Sequence, residues 1–418
     1  MSYSHIVQEL VDYLNDPQIK DQFSQSFNTA KRQDVKDFDD LKIFSVDDYI
    51  NYMEEYLHWV PFENGNASLK KDGNNVYMHI CMFYFILDTP PISQYQSPIE
   101  PSTKPTYLWL SRWLIRYAFA MGKWMNDPKS FTPETLQTFR DSPNYRIQDY
   151  IEEDWSTFNK FFARRIKPEL RPLAAPGISE VIVSPADCKY DGCWPVDDTE
   201  AAVTTFDVKG VPWHISQLLY DEGSGTDWGS HFAGGVFTHS FLAPDNYHRQ
   251  HAPVSGRIIE AKVIPGLCYL EVVVKPDEAD PDGRPRLGMH RHMRPKHDPK
   301  IATRAQKDER SLDAPNTPGY QFLQARALIL IESEIGLVAV LPIGMAQVSS
   351  VVLSPGIKGG AWVNKGDELS KFQLGGSDIV MVFQKEANVQ LPSESKINQQ
   401  FNVRAAFGNG TAFHTIGQ

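Results

Sequence analysis

From Glu180 onward the chain is cut into short runs rich in β-branched residues, at Val181–Val183, 202–208, 234–241, 256–263, 269–274, 327–332, 337–340, 346–353 and 378–383, separated by Gly, Pro and Asp. Runs of this length are too short for ordinary helices, and their punctuation supplies turns, so they predict strands. Many short strands without regular helical alternation predict an antiparallel β-rich core.

Upstream the periodicity changes. Ile6, Val7, Leu10, Val11 and Leu14 recur at spacings of three and four, which predicts an amphipathic helix. Ser45 stands three residues before Asp48 at the head of a second helix over 47–59, with Tyr49, Ile50, Met53 and Leu57 on one side. Over 108–124, Leu110, Trp113, Leu114, Tyr117 and Met121 form one stripe, and Arg112 and Arg116 lie one turn apart on another. Such a stripe is expected to be buried core rather than a cofactor box. Residues 126–145, rich in Asp, Pro, Ser and Thr, read as a linker with a short helix near 133–139. The expected class is α+β, with a helical N-terminal domain over 1–148 and a second domain over 149–418.

Composition narrows the partners. A formal net charge of -11 over 418 residues disfavours nucleic acid and anionic membrane surfaces, both of which attract clustered Lys and Arg. The run 106–125 contains Arg112, Arg116 and Lys123, so it is not expected to span a bilayer. The run 76–87 is too short to do so. The first ten residues carry no basic and apolar leader pattern. Cys81, Cys188, Cys193 and Cys268 lack paired motif spacing and are expected to be reduced thiols. The expectation is a soluble, cytoplasmic protein with no nucleic-acid partner and no membrane association, a homodimer being the default oligomer.

The chemistry is concentrated in three islands. Gly375-Gly376-Ser377 follows Lys371-Phe372-Gln373-Leu374 and opens an apolar run; the glycines permit a tight turn that presents the serine. Taken blind, such a turn is most often purely structural. Val183-Ser184-Pro185-Ala186-Asp187 supplies an acid, and Asp245-Asn246-Tyr247-His248-Arg249-Gln250-His251-Ala252-Pro253 supplies two histidines. Together they offer a nucleophile, a base and an orienting carboxylate, the roles of a hydroxyl-activating triad.

At these residues the chain resembles the phosphatidylserine decarboxylase family, which shares a Ser-Pro-x-Asp island, a Tyr-His-Arg-x-His island and a C-terminal Gly-Ser island in this order. Intervening text is similar as well: Phe158-Asn159-Lys160-Phe161-Phe162-Ala163-Arg164-Arg165, Val208-Lys209-Gly210 and Lys365-Gly366-Asp367-Glu368. The resemblance covers roughly residues 150–385. It implies self-cleavage between Gly376 and Ser377 into a large β chain, 1–376, and a small α chain, 377–418. Ser377 would become an N-terminal pyruvoyl cofactor that takes the substrate amine in Schiff-base chemistry, without pyridoxal phosphate and without a metal. It further implies that His251 is the base for the Ser377 hydroxyl, that Asp187 sets the His251 tautomer, and that His248 handles substrate or protons during decarboxylation. The family usually has Gly after the Asp, where this chain has Cys188.

Three features carry alternatives. The 359–369 segment resembles the lysine-bearing hairpin of biotinyl or lipoyl carrier domains, with Lys365 in the lysine's place; the hairpin is expected to be structural only. His290, His292 and His297 fall in a charged, proline-punctuated stretch, 276–318, that shows no apolar period and is expected to be a lid or an unstructured insertion. Solvated loop histidines are the expectation there, not a metal site. Arg326 and Lys209 are candidates to face a substrate carboxylate or phosphate. The acidic charge and the helical extension resemble the soluble, fungal L-tryptophan decarboxylase-like branch of the family. The expected substrate is therefore a free L-amino acid, aromatic in kind, with phosphatidylserine as the alternative and an unprocessed, non-catalytic scaffold as a third reading.

Overall fold

A computed structural model of the chain describes residues 3–63, 75–197, 205–208, 211–219, 228–277, 280–290, 319–344, 346, 351–374 and 377–413. Helices come first and an antiparallel β-rich core follows, so the class is α+β.

The helical region is built around Asn75–Phe85, whose residues are buried on nearly every side. It carries no polar face, which is why periodicity alone reads it only as an apolar run. His5–Tyr13, Val46–Leu57 and Trp109–Trp124 surround it with the predicted stripes inward. Ser45 caps its helix through its hydroxyl oxygen, which accepts the Asp48 N–H at 3.1 Å. Pro17–Lys31 adds a helix that the sequence reading missed. Its buried residues are only Phe23, Ser26, Phe27 and Ala30, but Asp16 accepts from Gln18 and Ile19 N–H groups and Pro17 occupies the first turn. Buried ring donors lock the helices together: Trp113 Nε1 donates to the Ile6 carbonyl at 2.8 Å, Tyr117 to Met53 at 2.6 Å and Tyr49 to Phe83 at 2.6 Å.

The main sheet has eight antiparallel strands in the order Trp362–Val363, Gly256–Ile264, Arg326–Ser333, Gly336–Gly344, Ser377–Phe383, Val236–Leu242, Cys188–Pro195 and Gln400–Phe401. The Ser377 strand is therefore interior, with Gly344 opposite Ser377 on one side and Leu242 on the other. A smaller sheet, Val351–Leu353, Glu368–Phe372 and Arg249–His251, runs the histidine strand beside the segment that leads into Ser377. The Phe372 N–H donates to the His248 carbonyl at 2.9 Å.

Two expectations are corrected here. Residues 286–290 are not loop: Arg286–His290 pairs with Glu271–Lys275, and this hairpin docks the helices. The Met289 N–H donates to the Tyr77 hydroxyl at 2.6 Å, and Arg286 reaches Asp40 at 2.8 Å. His292 and His297 lie outside the described residues. The 359–369 segment is a turn but not a closed hairpin, because Trp362–Val363 pairs with Gly256–Ile264 while Glu368–Phe372 pairs with Arg249–His251 and Val351–Leu353. Apolar contacts run without a break from the helices into the sheets. Among the described residues no helix is long and apolar enough to cross a membrane.

Candidate active site

The three islands meet at the end of the main sheet where Ser377 begins its strand. Ser377 is fully buried, and its Oγ lies 3.4 Å from His248 Nδ1. The other ring nitrogen of His248 sits 3.1 Å from the Pro244 carbonyl. A carbonyl oxygen can only accept, so Nε2 carries the proton in the neutral ring, and Nδ1 presents a lone pair to the serine hydroxyl. At 3.4 Å the contact is long for a hydrogen bond, as contacts between a base and a nucleophile often are before a reacting carbonyl is engaged. Gly375 and Gly376, including the bond at which cleavage is expected, lie outside the described residues.

The Phe158–Arg165 motif builds the seat for this pair. Phe162 stacks on the His248 ring with centroids 4.0 Å apart and planes 20° from parallel. Asn159 Oδ1 accepts the Leu374 N–H at 3.2 Å, just before the two glycines. Arg164, with no exposed surface, holds the carbonyls of Asp245 at 3.0 Å and Asn246 at 3.4 Å while its guanidinium lies over Tyr150, 4.2 Å from the ring centroid. The Ala163 carbonyl accepts from Arg249 Nε at 2.7 Å. This eight-residue stretch thus positions the histidine loop rather than reacting itself, a role that its placement upstream of the islands does not reveal.

His251 and Asp187 stand differently from the expectation. His251 Nδ1 donates to the Gly366 carbonyl at 2.8 Å, and Nε2 accepts from the Tyr247 hydroxyl at 2.9 Å. Both ring nitrogens are therefore occupied, neither by Ser377 nor by Asp187. The carboxylate of Asp187 is taken by Arg171, at 2.9 Å from Nε and 2.5 Å from Nη2, and by the Val403 N–H at 2.7 Å. The His251 tautomer is set by Gly366, a backbone acceptor that no motif displays. The Asp187 island still reaches the histidine island, through the His251 N–H to the Pro185 carbonyl at 2.8 Å.

Burial pushes the His251 pKa down from 6.5 to about 4, with the Gly366 bond opposing part of the shift. A depressed folded-state value means that His251 contributes stability above its unfolded pKa and loses it as pH falls through the folded one. Between pH 6.5 and 4 this single group is expected to remove up to about 3 kcal/mol. Urea unfolding at pH 7 and pH 4.5 measures it, and His251→Gln should show a correspondingly shallower acid loss.

Arg171 is the other residue the sequence reading missed, since it lies sixteen positions before its partner. Because Asp187 is buried, Arg171→Leu leaves a carboxylate with one amide donor and no countercharge, which is expected to cost about 3 kcal/mol. Arg171→Leu combined with Asp187→Leu should recover much of that. A change below about 0.5 kcal/mol, the scale of ordinary surface substitutions, in the single variant would show the pair to be dispensable.

Other candidates resolve as follows. Lys365 is buried, with Nζ bonded to the carbonyls of Ala175, Ile178 and Val181 at 2.7, 2.7 and 3.0 Å, so it clamps a loop and is not presented as a carrier lysine would be. Arg326 donates to the carbonyls of Leu218, Gln324 and Gln217. It lines a cleft of about 570 Å³ with Lys104, Tyr107, Gln217 and Phe322, and it pairs with Ile343, next to the Gly344 that faces Ser377. Lys209 lies outside the described residues. The four cysteines are free thiols. Cys188 is buried, which raises its pKa to about 12 despite hydrogen bonds from Ser184 and Ser240. Among the described residues no three His, Cys, Asp or Glu side chains gather as metal ligands. His290 faces Glu271 across 2.9 Å.

The sequence that builds this site is similar to known proteins. The family model described as phosphatidylserine decarboxylase matches residues 158–408. The decarboxylase iboD of Amanita muscaria is 28% identical over 275 residues, covering 63% of this chain and 71% of that protein. A phosphatidylserine decarboxylase proenzyme of Shewanella loihica is 28% identical over 254 residues, covering 56% of this chain and 72% of the relative. The phosphatidylserine decarboxylase proenzyme 2 of Oryza sativa is 30% identical over 270 residues, 64% of this chain but 36% of its own length.

Proposed function

Because the chain belongs to the phosphatidylserine decarboxylase family, we propose that it is a self-processing decarboxylase that converts a free L-amino acid, aromatic in kind, to its amine and CO2. The observation that carries this reading is the buried Ser377 hydroxyl facing the lone pair of His248. In processing, His248 Nδ1 takes the hydroxyl proton as Oγ attacks the Gly376 carbonyl carbon, and the Gly376–Ser377 C–N bond gives way to an ester. Elimination then expels the Gly376 carboxylate, and hydrolysis of residue 377 with loss of ammonia leaves a ketoacyl N-terminus. The pyruvoyl group so made supplies the electron sink that protein side chains lack.

The surroundings of Ser377 fit such a group. The position is closed to solvent, faced by the His248 ring on which Phe162 stacks, and anchored by strands on both sides. His248 stays beside residue 377 after cleavage and is placed to hold or return a proton there. The small fragment, 377–418, would remain bound, because Ser377–Phe383 is an interior strand, Gln400–Phe401 pairs with Cys188–Pro195, and Ala406–Asn409 pairs with Val181–Val183.

For the substrate, Tyr107 and Phe322 with Lys104 and Arg326 in the neighbouring cleft suit an aromatic side chain and a carboxylate, and the net charge of -11 disfavours an anionic bilayer. Phosphatidylserine is the second reading, favoured by the names of the Shewanella and rice relatives. CO2 release from a panel of free L-amino acids, run beside phosphatidylserine vesicles, separates the two. Turnover of an aromatic amino acid without lipid is expected, and turnover of vesicles alone would reverse the choice.

A further inference from the structure

On the face of the sheet opposite His248, a second charged group is buried that the chemistry above does not use. Successive residues of a strand point to opposite faces, so Ser377 faces His248 while Asp378 turns the other way. There His239 lies with Nδ1 2.9 Å from Asp191 Oδ2 and Nε2 3.5 Å from Asp378 Oδ1. All three side chains are without exposed surface, and the Tyr320 hydroxyl reaches the second oxygen of Asp378 at 3.4 Å. The bridge spans three adjacent strands, Cys188–Pro195, Val236–Leu242 and Ser377–Phe383. Asp191 stands where the register slips between Tyr190 and Gly192, and a β-bulge of this kind re-aims a side chain.

Asp191 is hydrogen-bonded to Nδ1 and the Asp378 carboxylate lies 3.5 Å from Nε2, so the surroundings favour a proton on both nitrogens. Burial alone would push the pKa down, but the bonds to Asp191 and Asp378 prevail and raise it to about 9. Buried ionic groups are a poor source of net stability, because apolar residues of similar volume serve as well or better. Their recurrent use is to select one arrangement, and this one ends on the residue that follows the reacting serine.

We propose that His239 is a positioning residue for residue 377, acting through Asp378: the Asp191–His239–Asp378 bridge holds the 377–378 peptide so that residue 377 meets His248. This rests on the reading of Ser377 as the processed residue. The same peptide becomes the amide next to the ketone once processing is complete, so the bridge holds the group in both states.

The charged groups facing His239 are Asp191 and Asp378, so the test alters one of them. Asp191→Asn keeps an acceptor oxygen for Nδ1 and removes a charge. Processing is timed by gel after cell-free synthesis from pH 6 to pH 10, and folding is measured separately by urea unfolding in a Ser377→Ala background. Asp191→Asn is expected to slow cleavage at least about tenfold while the Ser377→Ala form stays folded, and to move the alkaline fall of the cleavage rate to lower pH. Cleavage at the wild-type rate with an unmoved pH profile overturns the proposal, as does a loss that merely follows unfolding. Should Asp191→Asn not fold, Asp378→Asn, which keeps an acceptor for His239 and for Tyr320, is read by the same two criteria. If the wild-type chain itself stays uncut, the serine reading has failed, an outcome distinct from a cut wild type with indifferent variants.

Discussion

Ser377→Ala should leave the purified chain as one band at its full 47.4 kDa and lower CO2 release by at least about 10⁴-fold. The substitution removes one oxygen from a site enclosed by the Gly336–Gly344 and Val236–Leu242 strands, so the fold should persist, and circular dichroism and urea unfolding check that it does. What disappears is the hydroxyl that faces His248 Nδ1 at 3.4 Å, and with it the attack on the Gly376 carbonyl. Without the attack no ketone forms, and no side chain replaces it as an electron acceptor. A catalytically inert scaffold predicts instead that wild type and Ser377→Ala look alike, both uncut and both silent. The comparison therefore separates an enzyme from a protein that merely keeps the fold.

His248→Gln is expected to slow both self-cleavage and CO2 release by about 10²- to 10⁴-fold, the usual contribution of a positioned general base. Glutamine retains a donor for the Pro244 carbonyl and fills much of the space against Phe162, so the loop should keep its place. The alternative assignment, with His251 as the base, predicts a different pattern: His248→Gln would be cut normally, and His251→Gln would stall. The geometry supports the first pattern, because the His251 nitrogens are committed to Gly366 and Tyr247. Timing cleavage of both variants side by side, with CO2 release from the cut fraction, tells the two apart.

What could be read beforehand, and what could not, follows from the kinds of contact involved. The Ser377 strand was visible because two glycines precede an unbroken apolar run, and the helical stripes at His5–Tyr13, Val46–Leu57 and Trp109–Trp124 were visible because apolar residues recur with helical spacing. Asn75–Phe85 has no polar face to set against its apolar one, so its role as the centre of the helical region left no periodic trace. Arg286–His290 was hidden by the glycine at its middle and by the proline-punctuated charge on either side.

At the site, the three islands announced which residues would converge but not how they would pair. Pairing there is decided by backbone carbonyls, Pro244 for His248 and Gly366 for His251, and a sequence does not say where a carbonyl will point. The Arg171 that takes Asp187, and the Asp191 and Asp378 that flank His239, belong to no motif and appear only when strands are laid side by side. Asn159, Phe162 and Arg164 lie in text that resembles the family, but their scaffold duty and the partners they hold came only from the fold.

In the proposed function Ser377 cuts the chain at its own N-terminal side and stays behind as the electron acceptor. Intact-mass analysis of the purified protein tests it most directly. Two fragments are expected, the smaller running from residue 377, blocked at its N-terminus and lighter by one ammonia than the corresponding serine peptide. A single uncut chain that releases CO2 at full rate, or that does so only when pyridoxal phosphate is added, would contradict it.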